Sequence, residues 1–455
     1  MKLSDAEQKF QLEFDNAMNS SKENEVYLFK VHTALGKTRI LENLQGVTIA
    51  EPTHKLKAEV SERMNVSHLT TPKLPVFEQV VNDKLRFLYK AGLVSKATSL
   101  IMDIAANKAG WNNREDIDAA QEYLRESREC YTTDKTVITT HQKAMFSDFK
   151  SSTLIFDEDP LETVLKVNTV KIGDFIALEG FCNNAAEITA ITNALRALPA
   201  AVITETPLFA VDMDTLVENI AKSTLDANVL DFLNSDYILK DAHNNNVIHY
   251  INRRDIPKTN KLFIMSATAS VNIYEKIYGN RLTVIELMDV EQQGQVIQNT
   301  KKSYSRQQLD KTPAEIIKLV GDLPVITFMK YKDMFKNGVV DMHFGNCAGY
   351  DKLNGQDIAV VGTPHLSNVV YVMYAKALGL KVKPNDMLMS YQMIEHSGFK
   401  FKFMTYDNLD LRAIQLGLIE SELIQAIGRA RTLRTDATVH LYSTLPLRQT
   451  TQFVR

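Results

Sequence analysis

The chain has 455 residues, enough for about three units at roughly 150 residues each. Its 45% hydrophobic and 24% charged content supports more than one packed core and excludes disorder as the general state. With 52 Lys and Arg against 55 Asp and Glu, the formal charge of −3 excludes a polybasic coat, so any nucleic-acid contact must come from local basic clusters.

The three cysteines, Cys130, Cys182 and Cys347, lie too far apart for a disulfide framework or a zinc pair. They read as reduced, inert thiols in a cytoplasmic protein. Met1–Ser20 carries acidic residues and no apolar h-region, and no run approaches the ~18 apolar residues of a membrane span. A soluble, intracellular chain with no membrane partner is expected.

Along the chain, Phe10, Phe14, Ala17 and Met18 fall at helical spacing, which predicts an amphipathic helix over Ala6–Met18 within an N-terminal segment 1–25. An apolar strand, Val26–Val31, runs into His32-Thr33-Ala34-Leu35-Gly36-Lys37-Thr38 and a helix-compatible segment. Strand, tight loop, helix is the context of a phosphate-binding loop. Such a loop needs inward backbone N–H groups, a lysine on β/γ oxygens and a hydroxyl on Mg²⁺. The full pattern wants a glycine where Val31 stands, so the plain alternative is an ordinary helix start.

Short β-rich runs follow at Val47–Ala50, ended by Glu51-Pro52-Thr53-His54, and at Val137–His141. Ser152–Phe156 ends in Asp157-Glu158-Asp159-Pro160, and Lys261–Met265 ends in Ser266-Ala267-Thr268. Each apolar strand delivers polar residues at its C-terminal end, where open α/β sheets bind ligands. An acidic pair there can hold Mg²⁺ through Asp157 while Glu158 orients or deprotonates water. A solvated turn before Pro160 is the alternative. Ser266 and Thr268 fit either a helix cap or a hydroxyl relay.

Two intervening stretches, about 56–134 and 161–260, read as largely helical insertions. From about 291 a second α/β unit begins, with Gln292–Lys311 as a polar linker. Pro324–Phe328, Ile358–Val361 and Thr438–Tyr442 read as strands, and Ser421–Ala430 as a helix. On that helix Gln425, Gly428 and Arg429 lie at i, i+3 and i+4, on one face, with Arg431 close behind. A planar guanidinium suits a γ-phosphate, although a solvated basic face is the usual reason for such arginines.

In this order the segments resemble the motifs of the superfamily 2 helicases. His32–Thr38 is similar to motif I, Pro52-Thr53-His54 to motif Ia, and Thr139-Thr140-His141 to the Ib-type threonine motif. Asp157–Pro160 is similar to motif II, Ser266–Thr268 to III, Ile326–Phe328 to IV, Gly362-Thr363-Pro364 to V and Gln425–Arg431 to VI. The departures are Ala34 where the family has glycine, loose motifs IV and V, and no glutamine motif ahead of Lys37. The insertion sites are similar to those of iron–sulfur repair helicases, but Cys130 alone lies near the first, so no cluster is expected.

The resemblance implies two RecA-like parallel-sheet lobes, 26–290 and 291–455, the insertions sitting in the first, with ATP and Mg²⁺ between the lobes. Thr33 to Lys37 would cradle phosphates, Thr38 and Asp157 would hold the metal, and Glu158 would position water. Gln425, Arg429 and Arg431 would act across the cleft, with Ser266 and Thr268 coupling nucleotide state to the rest. A single strand or tailed duplex, DNA before RNA, would contact Pro52, Thr53, His54, Thr140, His141 and Thr363, with Trp111, Phe181 and Tyr274 as stacking candidates. The short chain with its Asp-Glu-Asp-Pro box also looks like replication helicases of phages and plasmids, implying host cytoplasm and replication or repair partners. Three readings are thus expected to compete: an ATP-dependent helicase or translocase, an ATP-gated clamp or remodelling ATPase without strand separation, and a structural subunit with a decayed site, against which intact Lys37, Asp157, Glu158 and Arg429 argue.

Overall fold

The computed structural model describes residues 1–110, 113–180, 185–207, 216–217, 220, 228–339, 341–347 and 352–454. Trp111, Phe181 and Cys182 lie outside the described residues. The chain opens with a helix, Leu3–Asn19, whose buried face carries Ala6, Phe10, Phe14 and Ala17. The Phe10 and Phe14 rings pack on Phe29 of the first strand.

The first sheet begins with β1 (Glu25–Val31), β2 (Thr48–Glu51), β3 (His68–Thr70), β4 (Thr136–Thr140) and β5 (Thr153–Asp157). The chain leaves it for β6 (Leu165–Lys171), β7 (Ile203–Glu205), β8 (Tyr237–Lys240) and β9 (Val247–Arg253), then returns as β10 (Lys261–Ser266) and β11 (Leu282–Leu287). The seven strands run parallel in the order β11-β1-β10-β5-β2-β4-β3. β1, β2, β5 and β10 are apolar and almost wholly buried, as strands covered on both faces must be.

The second lobe has five parallel strands, β12 (Gln295–Asn299), β13 (Val325–Ile326), β14 (Ile358–Val361), β17 (Thr438–Tyr442) and β18 (Gln452–Val454), in the order β13-β14-β17-β12-β18. The two parallel sheets are those of RecA-like lobes. A hairpin, β15 (Met389–His396) with β16 (Phe399–Tyr406), projects from the second lobe.

Two expectations change. Gln292–Lys311 is not a linker: β12 lies inside the sheet. Its polar Gln298 is fully buried because its amide donates to the Ser443 and Leu445 carbonyls and accepts from Leu447 N and Thr450 Oγ1. Within 161–260 the chain carries, besides helices, the antiparallel sheet β6-β9-β8-β7. Its strands are short and mix Thr, Asn, Tyr and Lys with the apolar residues, so a period of two is masked. The two insertions share one apolar core, in which Leu85, Leu88 and Ile101 meet Phe175, Phe232 and Tyr250. No helix among the described residues is long and apolar enough to cross a membrane.

Candidate active site

The parallel register brings three strand ends together. Asp157 pairs in register with Met265, and Lys30 with Ser266, so the loops after β1, β5 and β10 share one edge. The loop after β1 turns on two residues in left-handed backbone, Ala34 at φ 66° and Gly36 at φ 103°. Ala34 therefore takes the conformation that glycine adopts without penalty, and the turn forms despite the departure from the family pattern. A helix, Lys37–Leu41, follows directly.

Lys37 is buried and projects to the β5 end. Its Nζ lies 2.6 Å from Glu158 Oε1 and 3.9 Å from Asp157 Oδ1, and donates to the Met265 carbonyl at 3.4 Å. Burial works against the ammonium charge, yet the two carboxylates hold its pKa above the ordinary lysine value. For Glu158, burial pulls upward, but Lys37 outweighs it and leaves the carboxyl below its ordinary value. Burial dominates at Asp157 and pushes it up to about 6.

Asp157 Oδ1 is buried and accepts no hydrogen bond. An orphaned carboxylate oxygen at the end of β5 is a hard-oxygen donor that fits Mg²⁺ in company with phosphate, and Thr38, half-buried in the first turn after the loop, offers a hydroxyl. Backbone geometry assists: Glu158 sits at φ 68°, and its N–H donates to the Met265 carbonyl at 3.0 Å.

Lobe two reaches this edge through the helix Leu409–Ile427 and the turn Gly428–Ala430. Gly428 abuts the phosphate loop: a Cβ there would lie 2.8 Å from Thr33 Cγ2. Arg429 Nε donates to the Gln425 carbonyl at 3.2 Å, and the guanidinium charge acts on both Lys37 and Glu158. Gln425 is half-buried in the last helical turn, and Arg431 closes the segment at φ 55°. Ser266 Oγ and Thr268 Oγ1 lie 3.0 Å apart, and the Ser421 hydroxyl of lobe two donates to the Thr268 carbonyl. Ser266 and Thr268 thus sit at the contact between lobes.

Two residues at this edge escape the sequence. Arg434 Nε donates to the Ala34 carbonyl at 2.6 Å while its other arm pairs with Glu7 of the N-terminal helix. Glu51, at the end of β2, is buried with Oε1 unpartnered, and burial together with Asp157 and Glu158 raises its pKa well above the carboxylate range. A carboxylate directly after apolar Val47–Ala50 was the available signal for Glu51. Arg434 had none, because its contact spans 400 positions.

The expected strand contacts divide. Thr53 and His54 are exposed at the start of the helix His54–Arg63, where Thr53 Oγ1 accepts from Leu56 N, and Pro52 is half-buried beside them. Thr140 is half-buried, its hydroxyl accepting from Lys143 N. His141 is instead buried; its ring donates to the Asp157 carbonyl at 2.8 Å, and burial lowers its pKa to about 4. It props the acidic strand end and does not face a strand. Thr363 is also buried, donating to the Ser303 carbonyl at 2.7 Å. Tyr274 is core, its hydroxyl donating to Asp159.

No family model matches the chain, and no curated protein matches it. Among solved structures it is similar to the Escherichia coli DEAH/RHA helicase HrpB, at 11% identity over 95% of this chain and 42% of that chain, with a TM-score of 0.29. It is also similar to the yeast DEAD-box splicing factor Prp28, at 11% identity over 93% of this chain and 73% of that one, with a TM-score of 0.20. The chain spans less than half the length of the HrpB chain, 42%.

Proposed function

We propose that this chain is an ATP-driven motor that moves along a single strand of nucleic acid and separates duplex. The observation that supports it is convergence: Lys37 and Glu158, at one lobe's strand ends beside Asp157, feel the charge of Arg429, brought in by the other lobe. In this reading the loop Thr33–Lys37 binds the phosphates, Lys37 neutralising β/γ oxygens. Thr38 and Asp157 hold Mg²⁺, which when bound neutralises phosphate charge. Glu158, released from Lys37, orients the attacking water. Gln425, Arg429 and Arg431 act from lobe two, with Arg429 on the γ-phosphate. Ser266 and Thr268, joined to Ser421, pass the nucleotide state between lobes. The strand lies against Pro52, Thr53, His54 and Thr140, and DNA is the polymer proposed first, with replication or repair proteins as partners.

The second reading, an ATP-gated clamp, is favoured by one observation. The helix Asn368–Ala377 of lobe two buries Tyr371, Met373 and Ala375 in the same apolar cluster as Leu154, Leu165, Ile251 and Leu262 of lobe one. Wide separation of the lobes would expose that cluster, so lobe movement is expected to be small.

Strand displacement from a tailed duplex separates the two. A motor releases the labelled strand with ATP, and Lys37→Ala does not. A clamp changes its strand affinity with nucleotide and releases nothing.

A further inference from the structure

A cavity of about 420 Å³ opens where the first insertion meets the edge of the lobe-one sheet. Its size lies within the ~300–1,000 Å³ range of ligand pockets. The wall is aromatic: Tyr89 from the helix Gln79–Lys90, and Tyr123 and Tyr131 from the helix Arg114–Thr132. Lys143 stands among the rings, its Nζ 5.0 Å from the Tyr123 ring centre and 5.9 Å from that of Tyr131. His54 and Thr140, at the ends of β2 and β4, form the mouth.

Cationic charge predominates around this cavity. Lys57, Lys73 and Lys143 all act on His54 and depress its pKa, after burial. Burial, with Lys57 adding to it, pulls the Lys143 ammonium down to about 8. None of these three lysines makes an ion pair with a carboxylate among the described residues, although Asp148 lines the cavity. Lys57 Nζ instead donates to the Thr71 carbonyl at 2.5 Å. A lysine seated over two tyrosine faces, with Lys57 and Lys73 near enough to act on His54 at the cavity, is complementary to one chemistry: an aromatic ring that carries a phosphate.

We propose that this cavity takes one unstacked nucleobase of the bound single strand, the base lying among Tyr89, Tyr123 and Tyr131 and its phosphates facing His54, Lys73 and Lys143. The inference rests on the strand-binding reading above and adds a site to it. Such a pocket grips the strand once per step, independently of sequence, because every base has a π-face.

The test uses the full chain and two single strands of about 15 nucleotides, the upper end of common footprints, one oligothymidylate and one abasic with the same backbone. Wild type is expected to bind the base-bearing strand about tenfold more tightly or better, and Tyr123→Leu is expected to erase that preference while leaving strand-free ATP turnover unchanged. A preference that survives in Tyr123→Leu, or equal binding of both strands by wild type, overturns the pocket and leaves the motor reading standing. Absence of binding to either strand overturns both. Lys143→Met provides the second arm: it should weaken both strands and lower the salt slope by about one phosphate contact. An unchanged affinity and slope there would contradict the proposal.

Discussion

The Lys37 ammonium lies 2.6 Å from Glu158 Oε1, so the lysine expected on a phosphate already holds the carboxylate expected to orient water. In the motor reading a triphosphate would compete with Glu158 for that one cation, and its binding would free Glu158. Lys37→Ala removes the phosphate partner and leaves two buried carboxylates without a cation. Turnover should fall to background, and the thermal midpoint should drop further at pH 8 than at pH 5, where protonation relieves the carboxylates. Turnover close to wild type would reject the assigned loop.

If Asp157 holds the metal as proposed, it would link metal binding to pH. Its folded-state pKa of about 6 stands above the ordinary 3.8, so the neutral form is favoured in the fold. That contribution is present at low pH and is lost as pH rises through about 6. A metal needs the ionised form, so Mg²⁺-dependent nucleotide affinity should fall by about tenfold per pH unit below 6, and be flat above it. Titration of nucleotide affinity against Mg²⁺ from pH 5 to 8 measures this. An affinity that does not change across that range would place the metal elsewhere.

Glu51 carries the same sign. Burial, then Asp157 and Glu158, disfavour its charged form, so ionisation costs stability as pH rises above the ordinary carboxylate range. Glu51→Gln should therefore raise the melting midpoint by roughly a degree or two at pH 8 and change it little at pH 5. Thermal scans at the two pH values decide it; a loss of stability at pH 8 would show that the charged carboxylate is needed.

Gly428 is where lobe two meets the loop after β1. Gly428→Ala would place a Cβ 2.8 Å from Thr33 Cγ2, so the two lobes must part by a few tenths of an ångström or more at this contact. Nucleotide binding by lobe one should survive while turnover falls by about tenfold or more, since arginine placement tolerates little error. Thr33→Ala removes the nearest atoms and should recover part of the loss in the double variant. Steady-state rates of the four proteins form the cycle. Additive losses would show that the contact does not set the geometry.

The site residues that were legible sit within a few positions of a strand end. Lys37, Asp157, Glu158, Ser266 and Thr268 follow apolar strands whose parallel pairing brings their ends to one edge. Helical spacing put Gln425 and Arg429 on one face, but only the family resemblance separated them from a solvated basic face. What the sequence hid depends on contacts distant along the chain. Gln298 looks like linker until its four hydrogen-bond partners are in place. His141 and Thr363 look like surface contacts until packing buries them. Tyr89, Tyr123 and Lys143 belong to separate elements and acquire a shared meaning only around a cavity.

The central claim is that Lys37 and Arg429, from different lobes, serve one triphosphate. It is tested most directly by measuring nucleotide affinity and ATP turnover of Arg429→Ala with saturating single strand. The account predicts affinity within a few-fold of wild type and turnover lower by about 10³–10⁵. Turnover near wild type, or a loss confined to affinity, would contradict it.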